Sequence, residues 1–509
     1  MTLPVLGARP ETSTDRVGVR GWVALAVLML PVLLVSVDNT VLNFALPAIS
    51  EALTPSGTSL LWMIDIYPLV LAGLLVSMGS LGDRIGRKKL LLIGSAGFGA
   101  VSVVAAFAPS IELLIAARAA LGFFGAMLMP STLSLIRSIF RNRDQRRLAI
   151  AVWASGFAAG SALGPVIGGI LLEHHWWGSV FLIAVPVLLP LLVLAPFLVP
   201  ESRDPNPGKL DPTSIILSLV TMLPVVYGIK HAATDGFDLL AIASIVVGLT
   251  AGVLFVRRQL RLETPMLDMA LFRQPAFSGA VLINLLSVVA LVGGLFFVSQ
   301  HLQLVLGLSP LESGLALVPG LVTMIIAGLV IVPIAARVRP AVVVPVALAF
   351  SAVGYGAIAL TGGDVSAVGI AICFVALGLG IGAAETVSNE LILANAPIDK
   401  AGAASAVSET AYELGAVLGT ATLGTILTAS YRNAVVLPSG LSTEQQQAAS
   451  ETLGGAISVA GELPATAATQ LIDSARLAFD SGVGLAAWIG FALIVTAGIV
   501  AAVSLRRVR

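Results

Sequence analysis

The stretch Gly79–Lys89, GSLGDRIGRKK, lies between two apolar runs at residues 60–80 and 89–108. Each run has about the 20 residues that an α-helix needs to cross the hydrocarbon layer of a bilayer. The turn between them is rich in Arg and Lys, and basic loops are retained on the cytoplasmic side of a membrane. The stretch therefore predicts two membrane helices joined inside the cell.

The same alternation continues along the whole chain. Of the 28 Lys and Arg residues, all but Arg118, Lys230, Arg432 and Arg476 fall in the two tails or in every second gap between apolar runs. This predicts 14 membrane helices with both termini in the cytoplasm. The predicted spans are 22–44, 60–80, 89–108, 111–136, 148–172, 177–199, 213–231, 239–256, 277–300, 312–334, 340–361, 366–393, 403–429 and 484–505.

Composition supports an all-α polytopic membrane protein. The chain is 57% hydrophobic and 11% charged, which excludes an ordinary soluble domain. Its net charge is zero, so it offers no overall attraction to nucleic acid. No His or Cys spacing indicates a metal site, and no Ser/His/Asp set or nucleotide-binding loop indicates an enzyme.

An internal repeat divides the chain. At an offset of 255 residues, the glycines at 160, 164 and 169 align with those at 415, 419 and 424. This predicts two parallel six-helix halves with the substrate path between them, an architecture of transporters. The predicted parts are an N-tail at 1–21, an N-terminal half at 22–199, a linker with two inserted helices at 200–275, a C-terminal half at 276–505 and a C-tail at 506–509.

The C-terminal half is predicted to include a long extracytoplasmic loop at 431–482. Its Ala-rich runs, interrupted by Gly454-Gly455 and by Pro464, indicate a helical hairpin. A solvated connector and a lid over the exit are both open interpretations.

Ionisable residues inside the spans are candidates for chemistry, since each is costly in hydrocarbon unless it is paired or hydrated. Asp38, Asp65 and Arg118 fall at overlapping depths in the outer half. We expect an Asp–Arg network in which a carboxylate exchanges its Arg partner for a proton. A fixed ion pair is the alternative for Asp38 and Arg118, and simple hydration near the outer interface is the alternative for Asp65.

A second group of candidates lies near the midplane. Glu409 and Glu413 are four residues apart on one helix face, with Tyr412 beside them. Coupled carboxylates share protons, so this face can bind a lipophilic cation and release a proton. The other predicted substrate-binding residues are Glu385, Trp153 and Phe157. For the aromatic residues, cation–π attraction to the substrate and ordinary packing are the two interpretations.

Two glycine motifs go beyond topology. In the inner turn, glycines permit a tight connection while an acid and basic side chains latch helix ends, and these residues are Gly79, Asp83, Arg84, Gly86 and Arg87. In the fifth span, a Gly and Pro pattern lets one helix bend and slide on another, and these residues are Gly160, Gly164, Pro165, Gly168 and Gly169.

Together these motifs, with Arg118 and the stretches DNTVLNFALP at 38–47 and SAVSETAYELG at 405–415, resemble the 14-span drug:proton antiporters of the major facilitator superfamily. The resemblance covers essentially the whole chain. It implies an exporter in the inner membrane of a bacterium that exchanges protons for lipophilic cations. Such cargo includes quaternary ammonium compounds, dyes such as ethidium and acridines, and some fluoroquinolones.

The resemblance also implies roles for individual residues. Proton coupling is expected for Asp38 and Arg118, a gate latch for the Asp83 turn, and cation binding for Glu409 and Glu413. A monomer surrounded by lipid is expected, with no cofactor besides the proton gradient. A proton-coupled exporter of a lipid, metabolite or siderophore with the same fold is the alternative.

The chain departs from the family pattern in two places. Leu121 stands where the family's Arg118 motif often has Gln, so hydrogen bonding around Arg118 is expected to differ. The tenth span, at 313–336, contains no acid, whereas some relatives have one there.

From the second departure we predict weaker efflux of dications than of monocations, because a second positive charge in the membrane lacks a matching carboxylate. Efflux of a bisbiguanide and of a monovalent dye from the same cells would measure this. Comparable rates would contradict the prediction.

Overall fold

The computed structural model describes residues 17–203, 211–234, 236, 238–262, 265, 267–361, 365–395 and 401–508. Within three of its helices, the side chains at 143, 144, 147, 151, 154, 155, 157, 158, 162, 233, 234 and 401–406 lie outside this description.

The first six predicted spans correspond to seven helices, because the sixth span is broken once near its start. They are α1 (Val19–Leu53), α2 (Gly57–Ile85), α3 (Arg87–Ala106), α4 (Ile111–Ile139), α5 (Arg143–His174), α6 (Ser179–Leu182) and α7 (Ala184–Leu198). The inserted pair is α8 (Pro212–Thr234) and α9 (Leu239–Gln259).

The described residues after α9 form nine more α-helices. They are α10 (Pro275–Gln300), α11 (Pro310–Ala335), α12 (Pro340–Thr361), α13 (Ala367–Ala394), α14 (Ala401–Gly419), α15 (Thr425–Ala434), α16 (Thr443–Glu451), α17 (Leu453–Ala460) and α18 (Ala465–Ser504). Two π-helical segments, His301–Val305 and Thr420–Gly424, continue α10 and α14.

Among the described residues, 13 helical segments are long and apolar enough to cross a membrane by length and composition. The fifth predicted span lies in α5, where several side chains are outside the description. The prediction of an all-α polytopic membrane protein is confirmed. The count of 14 spans and the side on which the termini lie stay predictions. We call the end of the bundle with the Gly79–Lys89 turn the basic end, and the other the opposite end.

Close packing of small residues repeats in the two halves. α5 approaches α1 so closely that a Cβ on Gly160 would lie 2.9 Å from the carbonyl oxygen of Leu33. α14 approaches α10 in the same way, since a Cβ on Gly415 would lie 2.9 Å from the carbonyl oxygen of Leu285. The aligned pairs Gly160/Gly415 and Gly164/Gly419 therefore serve the same helix contact in both halves, as small residues do in membrane bundles.

The inserted helices pack on each other and, through α8, on α2. The Ser218 hydroxyl of α8 donates a hydrogen bond to the Gly73 carbonyl of α2 over 3.2 Å. At the basic end, Asp211 and Arg258 form an ion pair of 2.8 Å. Hydrogen bonds from Arg258, with others from Ser214, lower the pKa of Asp211 to about 2, so this pair persists at any cellular pH.

The two halves are in contact at the opposite end. The Ser299 hydroxyl of α10 donates to the Asn43 carbonyl of α1 over 3.1 Å, and the Gln303 amide donates to the Phe44 carbonyl over 3.3 Å. α5 touches α11 there, because a Cβ on Gly169 would lie 2.6 Å from the Cα of Leu311. The structure is thus closed at the opposite end.

The segment predicted as a long loop is largely helical. α18 has 40 residues and begins at Ala465, whereas the predicted span begins at 484. At 1.5 Å per residue it is about 60 Å long, roughly twice the hydrocarbon thickness. Its first turns carry Asp473, Arg476 and Asp480, which interrupt the apolar run without interrupting the helix.

The predicted hairpin within this segment is formed by α16 and α17. Its corner is at Thr452, and the Gly454-Gly455 pair lies inside α17 instead of breaking it. Gly454 packs on α1, where a Cβ would lie 2.9 Å from that of Ser50.

Glu451 links the hairpin to both halves. One carboxylate oxygen accepts from the Gly57 backbone N–H at the start of α2 over 3.1 Å. The other lies 3.3 Å from the Arg432 guanidinium at the end of α15. The hairpin therefore covers the closed opposite end, which favours the lid interpretation over the solvated connector.

We predict that Glu451→Ala loosens this cover, because it removes an ion pair and a charged hydrogen bond worth about 1.5–3 kcal/mol. Labelling of a cysteine placed at Ser50, beneath the hairpin, should become about 10-fold faster with an impermeant maleimide. The matched control is Glu444→Ala, an exposed acid of the same helix. Equal labelling rates in both variants would contradict the prediction.

Candidate functional site

Asp38 and Arg118 form a buried ion pair between α1 and α4. Arg118 Nη1 lies 2.6 Å from Asp38 Oδ2. Arg118 Nε donates to the Met63 carbonyl of α2 over 3.3 Å, and its guanidinium lies 4.4 Å from the centroid of the Tyr67 ring. The structure thus brings together the Asp and Arg that the sequence placed at overlapping depths.

Asp65 has a different partner. Its carboxylate lies 2.7 Å from Lys230 Nζ of α8, and both side chains are 0% exposed. The Thr420 hydroxyl, in the π-helical segment after α14, also donates to it. The interpretation of Asp65 as a hydrated interfacial acid is therefore wrong. Lys230 was not predicted to be a site residue. The sequence did mark it as one of four basic residues outside the predicted cytoplasmic segments.

Glu413 lies beside this network on α14 and is only 2% exposed. The Asn39 amide of α1 is its hydrogen-bonding neighbour, and Glu409 and Asp38 are nearby charged groups. Among the described residues, no partner is found for its Oε2 atom or for Oε1 of Glu385. Buried carboxylate oxygens without partners are uncommon and suit a site that receives a ligand or a proton.

A cavity of about 400 Å³ lies between the halves toward the basic end. This volume falls in the range of small-molecule sites. Its described lining includes Trp153, Asn284, Glu385, Asn389, Glu409 and Tyr412. The lining contains two carboxylates and no described basic side chain, so the cavity favours cations.

Two of the three aromatic candidates line the cavity. Trp153 lines the cavity, and its indole N–H donates to the Thr132 hydroxyl over 3.1 Å. Tyr412 lines the cavity and also a smaller closed one of about 50 Å³, which Asp65 and Arg118 share. Phe157 lies outside the described side chains. Tyr412 therefore stands between the open cavity and the two ion pairs.

The polar residues at the cavity mouth were not predicted. The Asn284 amide of α10 donates to Asn389 Oδ1 of α13 over 2.8 Å, and the Ser408 hydroxyl of α14 donates to the same oxygen over 2.5 Å. Single amides and hydroxyls are common in membrane helices, so no sequence signal set these three apart.

The Asp83 turn is held within the N-terminal half. Asp83 and Arg87 are 2.7 Å apart, and the Arg87 backbone N–H donates to the Ser202 carbonyl over 3.0 Å. Glu201 accepts from the backbone N–H groups of Lys88 and Lys89, at the positive start of α3. Sequence reasoning missed Glu201, which caps a helix from more than 100 residues away.

Glycine conformation explains one position of this turn. Gly86 has a φ of 110°, which L-residues rarely adopt. Gly79 faces Pro130 of α4, 3.6 Å from where its Cβ would be. Arg84 is exposed at the basic end.

The Gly and Pro motif of α5 faces two helices. Gly160, Gly164 and Gly168 lie along α1, and a Cβ on Gly164 would be 3.2 Å from the Val37 carbonyl. Pro165 and Gly169 lie against the start of α11, in the other half. The motif is thus the seam at which the halves meet when the opposite end is closed.

Comparison with known proteins gives a consistent family. The model of the Major Facilitator Superfamily matches residues 28–420. The multidrug efflux pump LfrA of Mycolicibacterium smegmatis is 60% identical over 97% of the chain and 98% of its own length. The methyl viologen resistance protein SmvA of Salmonella typhimurium is 38% identical over 90% and 93%. The tetracenomycin C resistance and export protein of Streptomyces glaucescens is 32% identical over 96% and 93%.

Solved structures agree on the fold. A bacterial homologue of the human lysosomal transporter Spinster superposes with a TM-score of 0.61 at 17% identity, covering 96% of this chain and 99% of that one. An auto-inhibited peptide transporter of the POT family also gives 0.61, at 15% identity, over 96% and 97%. With the apolar helices, the match to the family model and the similarity to LfrA identify a multi-pass protein of a bacterial inner membrane.

We predict that Gly169→Val shifts the protein toward an arrangement open at the opposite end, because the new side chain collides with the backbone of α11. The distance between spin labels on α5 and α11 near that end would report the shift. Gly498→Val in α18, where nothing lies within 4 Å of a Cβ, is the control. Unchanged distances in Gly169→Val would contradict the prediction.

Proposed function

Since the chain belongs to the major facilitator superfamily, we propose that it exports lipophilic cations in exchange for protons. The observation that carries the proposal is the cavity between the halves, with Glu385 and Glu409 in its lining and the buried Glu413 next to Tyr412 in α14. A cavity with acids and without a described base suits a positively charged guest. The relatives named for efflux and resistance support an outward direction of transport.

Binding is proposed to occur from the basic end. A lipophilic cation enters the cavity, where Trp153 and Tyr412 offer aromatic surface and Glu409 offers charge. Each cation–π contact contributes roughly 0.5–2 kcal/mol. The acids that accept the cation give up protons, because two positive charges at one buried carboxylate are not tolerated. One site thus holds either protons or cargo.

Coupling is proposed to run from this site to the Asp38–Arg118 pair. Asn39, next to Asp38 in α1, lies against Glu413 of the other half. A change of charge on Glu413 therefore acts on the helix that carries Asp38. When Asp38 takes a proton, Arg118 loses its counter-charge, and the contacts between α1, α2 and α4 must rearrange.

The cargo classes proposed are quaternary ammonium compounds, dyes such as ethidium and acridines, and some fluoroquinolones. The size of the cavity, about 400 Å³, suits such molecules. Methyl viologen, named in one relative, is a dication, so it belongs in any test of the expected preference for monocations.

Export of a lipid or another uncharged cargo is the second candidate. The supporting observation is an apolar groove of about 430 Å³, lined by α11, α12 and α13, with Val330, Val342 and Phe350 in its lining. This groove has no acid in its described lining, so Glu413 would be irrelevant to such cargo. Intact growth phenotypes with abolished dye efflux in Glu413→Gln would favour it.

The test is ethidium efflux from proteoliposomes under an imposed pH gradient. We expect Glu413→Gln to weaken ethidium binding about 10-fold or more, because the buried negative charge is lost. Asp38→Asn should keep binding within about threefold, a difference under 1 kcal/mol, yet lose acceleration by the gradient.

Glu444→Gln, at an exposed acid of the covering hairpin, is the matched control and should behave as wild type. Efflux that continues unchanged after uncoupler treatment, or in Glu413→Gln, would overturn the proposed function.

A further inference from the structure

Lys230 brings a positive charge from the inserted pair to the contact between α2 and the C-terminal half. It lies in the last turns of α8, toward the opposite end of the bundle. Its side chain is fully buried, and its Nζ lies 2.7 Å from the Asp65 carboxylate of α2. Its Nζ also lies 4.4 Å from the centroid of the Trp62 ring. A carboxylate and an aromatic face thus hold the ammonium group inside the protein.

Asp65 joins three parts of the molecule. α2 belongs to the N-terminal half, Lys230 to the inserted pair, and Thr420 to the C-terminal half. The Thr420 hydroxyl donates to Asp65 from a π-helical segment, a local distortion that is frequent at functional sites. If the halves part at the opposite end, α2 leaves α14 and this hydrogen bond is broken.

Stability alone is a poor reason for such a pair. Removing two charges from water costs several kcal/mol per ion, and apolar residues of similar volume often stabilise a protein as well or better. The inserted helices are already joined to each other by the Asp211–Arg258 pair at the basic end. A buried pair at a seam between moving parts is better suited to respond to a change of charge.

Among the described residues, the titratable groups near Asp65 include Tyr67 of α2 and Glu413 of α14, which interacts electrostatically with Tyr67. Arg118 of α4 and Tyr412 of α14 line the small closed cavity with it. Asp38 of α1 is reached through Arg118. On α8, His231 is directed to Asp238 at 3.0 Å, outside the bundle. Among the described residues, Lys230 is therefore the direct counter-charge of Asp65.

We propose that Lys230 is a positioning residue for proton coupling, which keeps Asp65 a carboxylate while the opposite end is closed. Opening of that end breaks the Thr420 hydrogen bond and admits water. A proton from the outer medium then binds a carboxylate oxygen of Asp65, and the Lys230 ammonium, still protonated, is solvated by the water. This inference rests on the proposed proton-driven export and gives the inserted helices a part in it.

The experiment measures opening of the opposite end without any cargo. Spin labels are attached to cysteines placed at His175 and Leu306, exposed positions at that end of the two halves, with Cys373 replaced by Ala. Distances between the labels are recorded in purified full-length protein from pH 8 to pH 5. The variants are Lys230→Met, Asp65→Asn and the double variant. Arg258→Met, which breaks the other ion pair of the inserted helices, is the matched control.

We expect acid to favour the longer distance in the wild type, with the half-transition about 1–2 pH units higher in Lys230→Met, since an unpaired buried carboxylate takes up a proton more readily. Asp65→Asn and the double variant should lose most of the pH response. Arg258→Met should follow the wild type.

Several results would overturn the inference: a Lys230→Met titration that matches the wild type, a wild type without a pH response, or a double variant with the wild-type response. The double variant leaves no unpaired charge and tests the dependence on Asp65; if Lys230→Met does not fold, Lys230→Gln, which keeps Asp65 and a polar neighbour, takes its place. Because no cargo is present, this titration tests the Asp65–Lys230 pair, whereas ethidium efflux tests the proposed export, so the two failures are distinguished.

Discussion

A charge inside a membrane bundle is stable only if another helix supplies its counter-charge or water reaches it, and this constraint organises the interior of the protein. Asp38 is paired with Arg118, and Asp65 with Lys230. Each pair joins helices that are distant in sequence, so each fixes the relative position of two elements. Glu413 stands apart, because its nearby charges are also acids and part of its carboxylate has no described partner.

The glycine seams determine where such charges can meet. α5 lies on α1, and α14 on α10, with backbones close enough that a Cβ would not fit. Close approach brings Asn39 to Glu413 and places the small closed cavity between the two ion pairs. Packing of small residues and pairing of charges are therefore parts of one arrangement, in which each limits the freedom of the other.

Much of the fold followed from the sequence, because the bilayer imposes simple rules on length and charge. The positions of the long helices agree with the apolar runs to within a few residues in most cases, and the glycine repeat pointed to equivalent helix contacts. The start of α18 was missed, because hydropathy reports contact with lipid, whereas a helix continues through Asp473 and Arg476 as long as its backbone is satisfied.

The sequence predicted which residues form the site better than it predicted which of them form ion pairs with each other. Asp38 and Arg118 could be matched by depth, since both are buried charges of opposite sign. Asp65 could not be matched with Lys230, which lies on an inserted helix that the six-helix pattern does not place. Glu201 and Asn284 carry no signal in a single sequence, because their contacts depend on which helix ends the fold brings together.

The length of α18 has a mechanical consequence. It extends as one continuous helix from the C-terminal half far beyond the hydrocarbon layer, and α17 packs on this extension beside α1. Displacement grows with distance from a pivot, so a modest rotation of the half would become a large sweep at the tip. The helix would then act as a lever arm that lifts the hairpin clear of α1 as the cargo leaves.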